Sequence, residues 1–436
     1  MTQVKHSYDA VIIGAGIIGC GIGFELSRRG VRTAVIEKNV GPGEGSTSAS
    51  SAIIRFTYST YSAVAMAYEG LRYWENWEDY LQNKNRVTTP SFHQCGMFAV
   101  KSKQVHYLKS LPHFDQIGIP YEHWGIDDIK NRIPSFDSRI FGPPSRPSDD
   151  AFWDEPTEVM EGGLFTPEAG YISDPRLAAQ NLYQVAEQKN CSFYFKSEVE
   201  QILTKSNRVQ GVKLADGTNI DAPIIINAAG PYSGTINAMA HVLEDMSIKT
   251  RPLRQEVCVV PSSEDLDFEK MGMAIADDDV GIYLRPETGN NILVGGTEPE
   301  CDPLRWVSAD HQGEIDPEQW EAQVLRLNQR IPSTGVPHQK LGVVGVYDVS
   351  DDWSPIYDTT SLDGFYVAIG TSGNQFKNAP IAAHCMAELV LAVESGYDHE
   401  TQPLVVTGPH TNLKIDMGTF RRNRPINPDS PMSVHG

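Results

Sequence analysis

Cysteine is scarce in this sequence, and no two cysteines are placed to act together. The chain of 436 residues has six of them, each more than forty residues from the next, and no CxxC or mixed Cys/His spacing occurs. Zinc sites need ligands at short spacings, and a disulfide framework needs a dense set of cysteines. We therefore predict that the protein has no metal site, and we expect a reduced, cytoplasmic chain.

Positive charge and long apolar runs are also lacking. The sequence has 36 Lys and Arg against 56 Asp and Glu, a net charge of −20, with no long basic run. Nucleic acids and anionic membranes bind clustered Lys and Arg, so neither is an expected partner. The most apolar stretches, 10–24 and 379–393, are too short, too rich in Gly or too interrupted to span a bilayer. The start MTQVKHSYDA lacks a signal-peptide pattern. We expect a small-molecule partner, which a few local cations must hold if it is an anion.

The N-terminal segment combines a strand, a glycine turn, a helix and a second strand. In YDAVIIGAGIIGCGIGFELSRRGVRTAVIEKN, a buried strand leads into Gly14-x-Gly16-x-x-Gly19, and the second strand ends at Glu37. Gly14 would make the tight turn, Gly16 would admit a pyrophosphate at the helix N-terminus, and Gly19 would let helix and strand pack closely. The acid would accept hydrogen bonds from a ribose, and its charge argues against a 2′-phosphate. This segment predicts a dinucleotide site.

Two further strand–turn elements lie far along the chain. PIIINAAG, before residue 230, and GFYVAIG, up to residue 370, are buried strands that lead into glycine turns. With the first element they predict one α/β nucleotide-binding sheet with long insertions, which carry strand-like runs such as QEVCVVP, GIYLRPE and NILVGG. We predict a Rossmann-like α/β domain over 1–85, 166–249 and 341–410, an inserted, largely antiparallel substrate-binding domain over 86–165 and 250–340, and a C-terminal tail over 411–436.

Taken together, these segments resemble the flavin-dependent amine oxidases and dehydrogenases that include sarcosine oxidase, glycine oxidase and dimethylglycine dehydrogenase. The resemblance covers nearly the whole chain and is carried by VIIGAGIIGCGIGFELSRRG, GEGSTSASSAIIRFTY, GGLFTPEAGYISDPRLAAQNL, IIINAAGPYSG, RPLRQE, GIYLRPETGNNILVGG and GTSGNQFKNAPIAAHCMAEL. It implies FAD rather than NAD as the cofactor.

The resemblance also implies which positions hold the cofactor. The glycine turn and Glu37 would bind the ADP half of FAD, Ser46 and Thr47 would meet the pyrophosphate or ribityl chain, and Val199 would pack near the adenine. The turn before the last helix would face the isoalloxazine ring. The full predicted set is Gly14, Gly16, Ile17, Ile18, Gly19, Glu37, Lys38, Ser46, Thr47, Val199, Ala229, Gly230, Gly370, Gly373, Asn374, Gln375, Phe376 and Lys377.

Lys377 raises a question, because it lies just before a helix, where its charge opposes the helix dipole. The resemblance supplies an answer. Sarcosine oxidase-like enzymes bind a substrate carboxylate with an arginine and a lysine, and the matching positions here are Arg55 and Lys377. The arginine can donate two parallel hydrogen bonds while the lysine acts as a point charge. The alternative is that both are unrelated surface ions. Tyr283, Arg285 and Tyr347 are further candidates for the catalytic site.

Three positions depart from the family pattern. Gly345 stands where monomeric sarcosine oxidases attach flavin through a cysteine, and GSTSASSAIIR has no histidine of the kind that attaches it in dimethylglycine dehydrogenase-like proteins. We therefore expect noncovalent FAD. Tyr283 stands where the family has an oxygen-activating lysine, so the electron acceptor is left open between oxygen and another compound. Ala52 replaces a second arginine, so the pocket differs from that for sarcosine.

Two conspicuous runs are interpreted as structural. The aromatic run YWENWEDY has helical spacing and is interpreted as packing, whereas Asp277-Asp278-Asp279 is interpreted as a solvated turn.

The resemblance implies an FAD enzyme that oxidises the C–N bond of a small amino acid with a secondary or tertiary amine, such as an N-substituted glycine. The alternatives are an FAD-dependent 2-hydroxy-acid or glycerol-phosphate dehydrogenase, and a flavin-binding protein without turnover. The oligomeric state is left open.

Overall fold

The computed structural model describes residues 6–82, 87–102, 106–311 and 313–435. The predicted boundary between residues 85 and 86 lies outside these ranges. Among the helices in the described ranges, none combines the length and apolar character that crossing a bilayer requires.

A six-stranded sheet brings the three predicted strand–turn elements side by side. Its strands are, in spatial order, Ser192–Tyr194, Thr33–Ile36, Ala10–Ile13, Ile225–Asn227, Phe365–Ile369 and Ile356–Asp358. All neighbours pair in parallel except the last two, which are antiparallel. Because parallel neighbours share one direction, the glycine turns that follow three central strands meet at one edge.

Both faces of the six-stranded sheet are covered, as its unbroken apolar strands require. In strand Ala10–Ile13, Ile12 faces a core with helix Ile17–Arg28, which packs against helices Pro175–Gln188 and Ala379–Glu394. The neighbouring Val11 faces a second core. That core includes side chains of a four-stranded sheet, made of His6–Ser7, Asn219–Asp221, Arg208–Leu214 and Val199–Lys205. Within this sheet, Arg208–Leu214 and Asn219–Asp221 form an antiparallel hairpin with Asp216-Gly217 at its turn.

An eight-stranded sheet forms the second large layer. Its spatial order is Gly342–Ser350, Thr250–Pro261, Asn291–Gly296, Ile282–Glu287, Ala274–Asp277, Met97–Val100, Gly163–Thr166 and Glu122–Trp124. All its pairs are antiparallel except that of Ala274–Asp277 with Met97–Val100. The strand Gly342–Ser350, which lies outside both predicted insertions, pairs along its length with Thr250–Pro261. The sheet therefore extends beyond the segments predicted for the inserted domain, and the division into domains stays a prediction.

The remaining elements are short. A three-stranded sheet has the spatial order Ile53–Ile54, Gly170–Ile172 and Phe92–His93. A two-stranded sheet pairs Val405–Thr407 with Lys414–Asp416. The other α-helices are Tyr61–Glu75, Trp77–Tyr80, Leu111–Ile117, Ile126–Arg132, Ser233–Met239, Phe268–Met271 and Pro317–Arg330. Single 3-10 turns cover His106–Lys109, Asp150–Trp153, Gly230–Tyr232, Leu243–Asp245, Pro332–Thr334, Phe376–Asn378 and Met417–Phe420.

The acidic run at 277–279 is not the solvated turn that its composition suggests. Asp277 and Asp279 are buried and bind the buried guanidinium of Arg330, with N···O distances of 2.5 and 2.8 Å. Charges come together here because the helix that ends at Arg330 packs on the eight-stranded sheet, a contact that local sequence does not reveal. The aromatic run at 73–80 was interpreted correctly, since Tyr73, Trp74, Trp77 and Tyr80 are all buried.

Candidate functional site

A long cleft of about 430 Å³ opens at the edge where the glycine turns of the six-stranded sheet meet. One wall is the first glycine turn and the start of helix Ile17–Arg28. The opposite wall includes the strand Gly342–Ser350 and the turn before helix Ala379–Glu394. The carboxyl edge of a parallel sheet is where nucleotide ligands bind in open α/β folds.

The glycine turn is closely packed. Gly14 has φ +106°, and a Cβ there would lie 2.4 Å from the Ala228 carbonyl oxygen. A Cβ on Gly19 would lie 1.9 Å from the Gly14 oxygen, so Gly19 serves the contact between helix and strand and does not line the cleft. Only glycine fits at both positions.

The helix that starts at Ile17 points its N-terminus, the positive end of its dipole, towards the cleft. Its N-cap is Gly16, which has no side chain to cap it, and its first turn has no acidic residue. The Ile17 amide donates to Thr47 Oγ1 at 3.0 Å, so the predicted Thr47 anchors the helix start while also lining the cleft. The partial charge of the helix N-terminus thus favours an anion here.

Glu37 occupies one end of the cleft with its carboxylate held in place. Oε2 accepts a hydrogen bond from the Ala15 amide and Oε1 accepts one from the Asn39 amide, both at 2.8 Å. A carboxylate has about four lone-pair sites, so capacity remains for ribose hydroxyls. Glu37 therefore combines two roles, bracing the glycine turn and offering acceptors to a ligand.

The predicted cofactor residues fall into three groups according to which cavity they line. Those that line the cleft are Gly14, Gly16, Ile17, Ile18, Glu37, Lys38, Ser46, Thr47, Val199, Ala229, Gly230, Gly373, Gln375 and Phe376. Asn374 and Lys377 line an adjoining pocket instead. Gly19 and Gly370 line neither, and the Gly370 amide donates to the buried Asp348 carboxylate at 2.7 Å. The neighbouring Thr371 lines the cleft in place of Gly370.

Part of the cleft wall near Lys38 was not predicted from the sequence. The Lys38 ammonium lies 3.4 Å from the centroid of the Tyr232 ring, and the Tyr232 hydroxyl donates to Asp310 at 2.5 Å. Tyr232, Asp310 and His311 all line the cleft. Asp310 and His311 belong to an irregular segment without a motif, so no local signal marks them.

The cleft fits the FAD that the resemblance implies. It is continuous from an acid at one end, past a helix N-terminus without an acidic residue in its first turn, to aromatic and apolar residues around Tyr347 and Phe376. Those features suit, in that order, a ribose, a pyrophosphate and a flat ring system. The described residues contain no group of His, Cys, Asp and Glu that could hold a metal ion.

A second pocket joins the cleft at its aromatic end. Its lining includes four of the five predicted catalytic residues, which are Arg55, Tyr283, Tyr347 and Lys377. The fifth, Arg285, does not line it. Arg285 is buried, donates to the carbonyl oxygens of Ser51 and Pro286, and pairs with Glu287 at 3.0 Å.

Lys377 is buried in the 3-10 turn Phe376–Asn378, which precedes the last helix. Its ammonium donates to the Asn374 carbonyl at 2.6 Å, and its own carbonyl accepts from the Trp74 indole at 2.7 Å. Burial, with a smaller contribution from the Arg55 charge, holds the pKa of Lys377 well below its ordinary value.

Arg55 is the second buried cation of this pocket. It donates to the carbonyl oxygens of Thr57 and Val434, both at 2.6 Å. Burial lowers its pKa, against small opposing effects of Tyr58 and Asp278. Both cations lie over the Tyr58 ring. The ring centroid is 4.8 Å from the Arg55 guanidinium carbon and 5.0 Å from the Lys377 nitrogen. Within the described ranges, neither cation forms an ion pair with a carboxylate. Both cations are buried and line the same pocket, so neither is a surface ion.

Tyr283 and Tyr347 reach the pocket from the eight-stranded sheet, and glycines make room for them. A Cβ on Gly295 would lie 2.3 Å from the Tyr283 ring, and one on Gly373 would lie 2.2 Å from the Tyr347 ring. Tyr283 Oη and Ser51 Oγ are hydrogen-bonded at 2.8 Å. Burial raises the pKa of both phenols, so both are neutral near pH 7.

Comparisons with known proteins point in one direction. Residues 9–389 match the protein family described as DAO, FAD dependent oxidoreductase. The chain is 24% identical over 405 residues to a glycine oxidase of Geobacillus kaustophilus, a match that covers 91% of this chain and 96% of that protein. It is 22% identical over 422 residues to 4-methylaminobutanoate oxidase (formaldehyde-forming) of Paenarthrobacter nicotinovorans, covering 92% of this chain but only 46% of that longer protein.

A solved structure shows the same fold. The L-proline dehydrogenase of P. horikoshii superposes with a TM-score of 0.74 at 21% sequence identity, covering 91% of this chain and 95% of that one. The predicted mixed α/β fold is therefore confirmed.

Proposed function

The chain belongs to the FAD dependent oxidoreductase family, and from this premise we propose that it oxidises the C–N bond of a small amino acid. The product is an imine that water hydrolyses. The preferred substrate carries a secondary or tertiary amine, as in an N-substituted glycine.

The observation that carries this proposal is the pair of buried cations in one pocket. Arg55 and Lys377 both line it, and the described chain supplies neutral carbonyl oxygens to them. Burying a charge without a counter-ion costs several kcal/mol, on the order of the penalty for breaking a buried ion pair. A carboxylate would relieve this cost for both cations at once, because guanidinium binds it through two bonds and ammonium as a point charge.

The position of the pocket supports oxidation next to that carboxylate. It shares Ser50, Tyr347, Gly373 and Phe376 with the cleft, so a carboxylate held by the cations lies beside the end of the cleft that suits the flavin ring. Bound FAD supplies the two-electron acceptor for the bond next to nitrogen. The protein's part is to orient the substrate and exclude water.

The cations also act on the substrate amine. A positive charge nearby disfavours the ammonium form, because like charges repel more strongly away from water. Arg55 and Lys377 therefore help to hold the amine in its neutral form, which has the lone pair that oxidation requires. A separate catalytic base is then unnecessary.

The names of two relatives support an amine over a hydroxy acid. One is described as a glycine oxidase and another as a methylaminobutanoate oxidase. Both names give an amino-substituted carboxylic acid as the compound that is oxidised. Identities of 24% and 22% support the class of bond and leave the substrate to experiment.

An anaerobic screen tests the proposal directly. The FAD-loaded protein is mixed with glycine, N-methylglycine, N,N-dimethylglycine and proline, and loss of flavin absorbance is followed. Matched controls are glycolate, which replaces the amine by a hydroxyl, and methylamine, which lacks the carboxylate. Bleaching by an amino acid together with release of ammonia or a free amine is expected. Bleaching by glycolate alone would indicate a hydroxy-acid dehydrogenase, and no bleaching by any compound would indicate a binding protein without turnover.

A further inference from the structure

The segment Pro431–His435, called the strap here, runs into the pocket that holds the two cations. Val434 and His435 line this pocket, although they are far along the chain from every other residue that lines it. The Val434 carbonyl accepts from Arg55 Nη2 at 2.6 Å, and the Val434 amide donates to Glu298 Oε2 at 2.8 Å. His435 Nε2 lies 3.0 Å from Asp278 Oδ1. Backbone and side chain thus both attach the strap to the pocket.

Packing and upstream contacts hold the strap in this course. The Val434 side chain packs against an apolar cluster that contains Tyr283, and also against a second cluster on which Tyr347 packs. Just before the strap, Ser430 Oγ donates to the Asp352 carbonyl at 2.8 Å. Earlier still, Asn427 Nδ2 donates to Ser59 Oγ, also at 2.8 Å. The strap is therefore tethered at its base while its end reaches the cations.

The strap leaves little space in the pocket. The free volume is about 50 Å³, about a third of the roughly 150 Å³ of a cavity that holds benzene. An amino acid has several heavy atoms and needs more room than this. The pocket therefore cannot take its proposed substrate while the strap keeps this position.

Arg55 shows what could move the strap. Its Nη2 bonds a neutral carbonyl oxygen of Val434, whereas a carboxylate would add the attraction between opposite charges to the same hydrogen bond. A substrate carboxylate in the pocket would compete for the same guanidinium nitrogen. The competing partner is charged and the present one is not.

We propose that the strap is a lid that the substrate displaces, in which the Val434 carbonyl holds the place on Arg55 that one substrate carboxylate oxygen takes. The inference rests on the proposed function in that the carboxylate binds at Arg55 and Lys377. Its consequence is a reduced apparent affinity, because a ligand binds only the fraction of molecules in which the strap is open.

Hydrogen exchange tests the displacement, with acetate as the probe and acetamide as its neutral match. Acetate binding to the FAD-loaded protein is read from the flavin absorbance, and exchange in a peptide covering 430–435 is measured by mass spectrometry. Saturating acetate is expected to speed exchange of this peptide severalfold, since the Val434 amide leaves Glu298, while acetamide has no effect. If acetate binds and exchange stays the same, the lid is wrong and the carboxylate site stands. If acetate does not bind, both proposals fail.

A variant gives an independent readout. Val434→Gly removes the side chain that packs against these two apolar clusters and should open the strap more often. It is expected to lower the Kd for acetate by roughly tenfold, as expected when the open fraction rises by that factor. The matched control is Ile426→Ala, an exposed residue of the same tail that lies outside the pocket, for which no change is expected. Weaker acetate binding in Val434→Gly would show that the strap is a supporting wall, which overturns the lid.

Discussion

At the scale of single residues, the pocket is defined by two cations that burial makes costly. Lys377 and Arg55 share the Tyr58 ring and have only neutral oxygen acceptors in the described chain. Because the two positive charges repel each other, each raises the free-energy cost of burying the other. The pair therefore stabilises a bound anion more than either cation alone would. Tyr58 also donates to the Asn374 carbonyl at 2.8 Å, the group that the Lys377 ammonium contacts. Tyr58 thus fixes the geometry of a site in which it was not predicted.

Replacing Lys377 tests the pair. Lys377→Met keeps the length of the side chain and removes its charge. For the amino acid that bleaches the flavin, kcat/KM should therefore fall, by an amount equivalent to a loss of roughly 2–5 kcal/mol of transition-state stabilisation. The matching amine without a carboxylate should lose much less. Steady-state kinetics on both compounds give the comparison. An equal loss on both would mean that Lys377 serves the flavin or the fold.

Glu298 predicts a pH dependence of stability. Burial raises its pKa to about 8 from an ordinary 4.5. Between these values the native carboxyl keeps a proton that the unfolded chain releases, so its contribution to the free energy of unfolding is full below about pH 4.5 and is lost as the pH rises towards 8. Glu298→Gln cannot ionise, so its free energy of unfolding should fall less than that of the wild type from pH 5.5 to pH 8, by about 1–3 kcal/mol.

Urea unfolding at the two pH values measures this difference. The matched control is Glu300→Gln, an exposed residue two positions along, which should keep the wild-type dependence. If Glu298→Gln shows the same decline as the wild type, the native carboxyl is already ionised at pH 5.5.

At the scale of elements, the junction between the first two strands of the six-stranded sheet organises the cleft. Glu37, at the end of strand Thr33–Ile36, accepts from the Ala15 amide in the glycine turn. Thr47, in the segment that follows, accepts from the first amide of the helix. Two side chains from one connection therefore hold both the turn and the helix start, which are the parts of the cleft that suit a pyrophosphate.

Glu37→Ala should weaken FAD binding for two physical reasons. It removes acceptors for the ribose, and it leaves the Ala15 amide without its partner in the turn. The expected loss is about 1–3 kcal/mol, the cost of leaving a buried polar group unpaired. Titration of the apoprotein with FAD, followed by quenching of flavin fluorescence, measures it. Glu200→Ala, which removes an exposed carboxylate paired with Lys213, serves as the control and should not change the Kd.

At the scale of the whole molecule, the two large sheets meet at the proposed ligand sites. The six-stranded sheet supplies the glycine turns, and the eight-stranded sheet supplies strand Gly342–Ser350 with Tyr347 and strand Ile282–Glu287 with Tyr283. A cofactor in the cleft would contact both. Its binding free energy therefore adds to the stability of the whole arrangement, by about 2.7 kcal/mol when free FAD is 100 times its Kd.

The cofactor is expected to be held without a covalent bond. None of the six cysteines lines the cleft or the pocket, and Gly345, which lines the cleft, has no thiol to offer. The purified protein should be yellow, and acid precipitation should leave FAD in the supernatant and the polypeptide colourless. A polypeptide whose mass after acid treatment exceeds that of the sequence by one flavin would contradict this expectation and direct attention to His311 in the cleft wall.

Short patterns in the sequence were sufficient to predict those parts of the protein that depend on local requirements. The glycine spacing, the acid after the second strand and the apolar runs before three turns were enough to predict one sheet and the edge of it at which Gly14, Gly16 and Glu37 line the cleft. This was possible because each signal reflects a local requirement, such as a positive φ at Gly14 or a helix start without an acidic residue in its first turn. The resemblance to a flavoprotein family then linked Arg55 to Lys377.

Which distant residues share a pocket depends on tertiary packing and could not be predicted from local patterns. Arg55 meets the carbonyl of Val434, 379 positions away, and Arg330 neutralises an acidic run that looks solvated in the sequence. Arg285, two residues from Tyr283 and on the same face of its strand, is bound by its own surroundings instead of reaching the pocket. Such outcomes depend on how whole sheets and helices pack, and on which partner satisfies each buried charge. Neighbouring residues in the chain carry no record of either, so local patterns could not predict them.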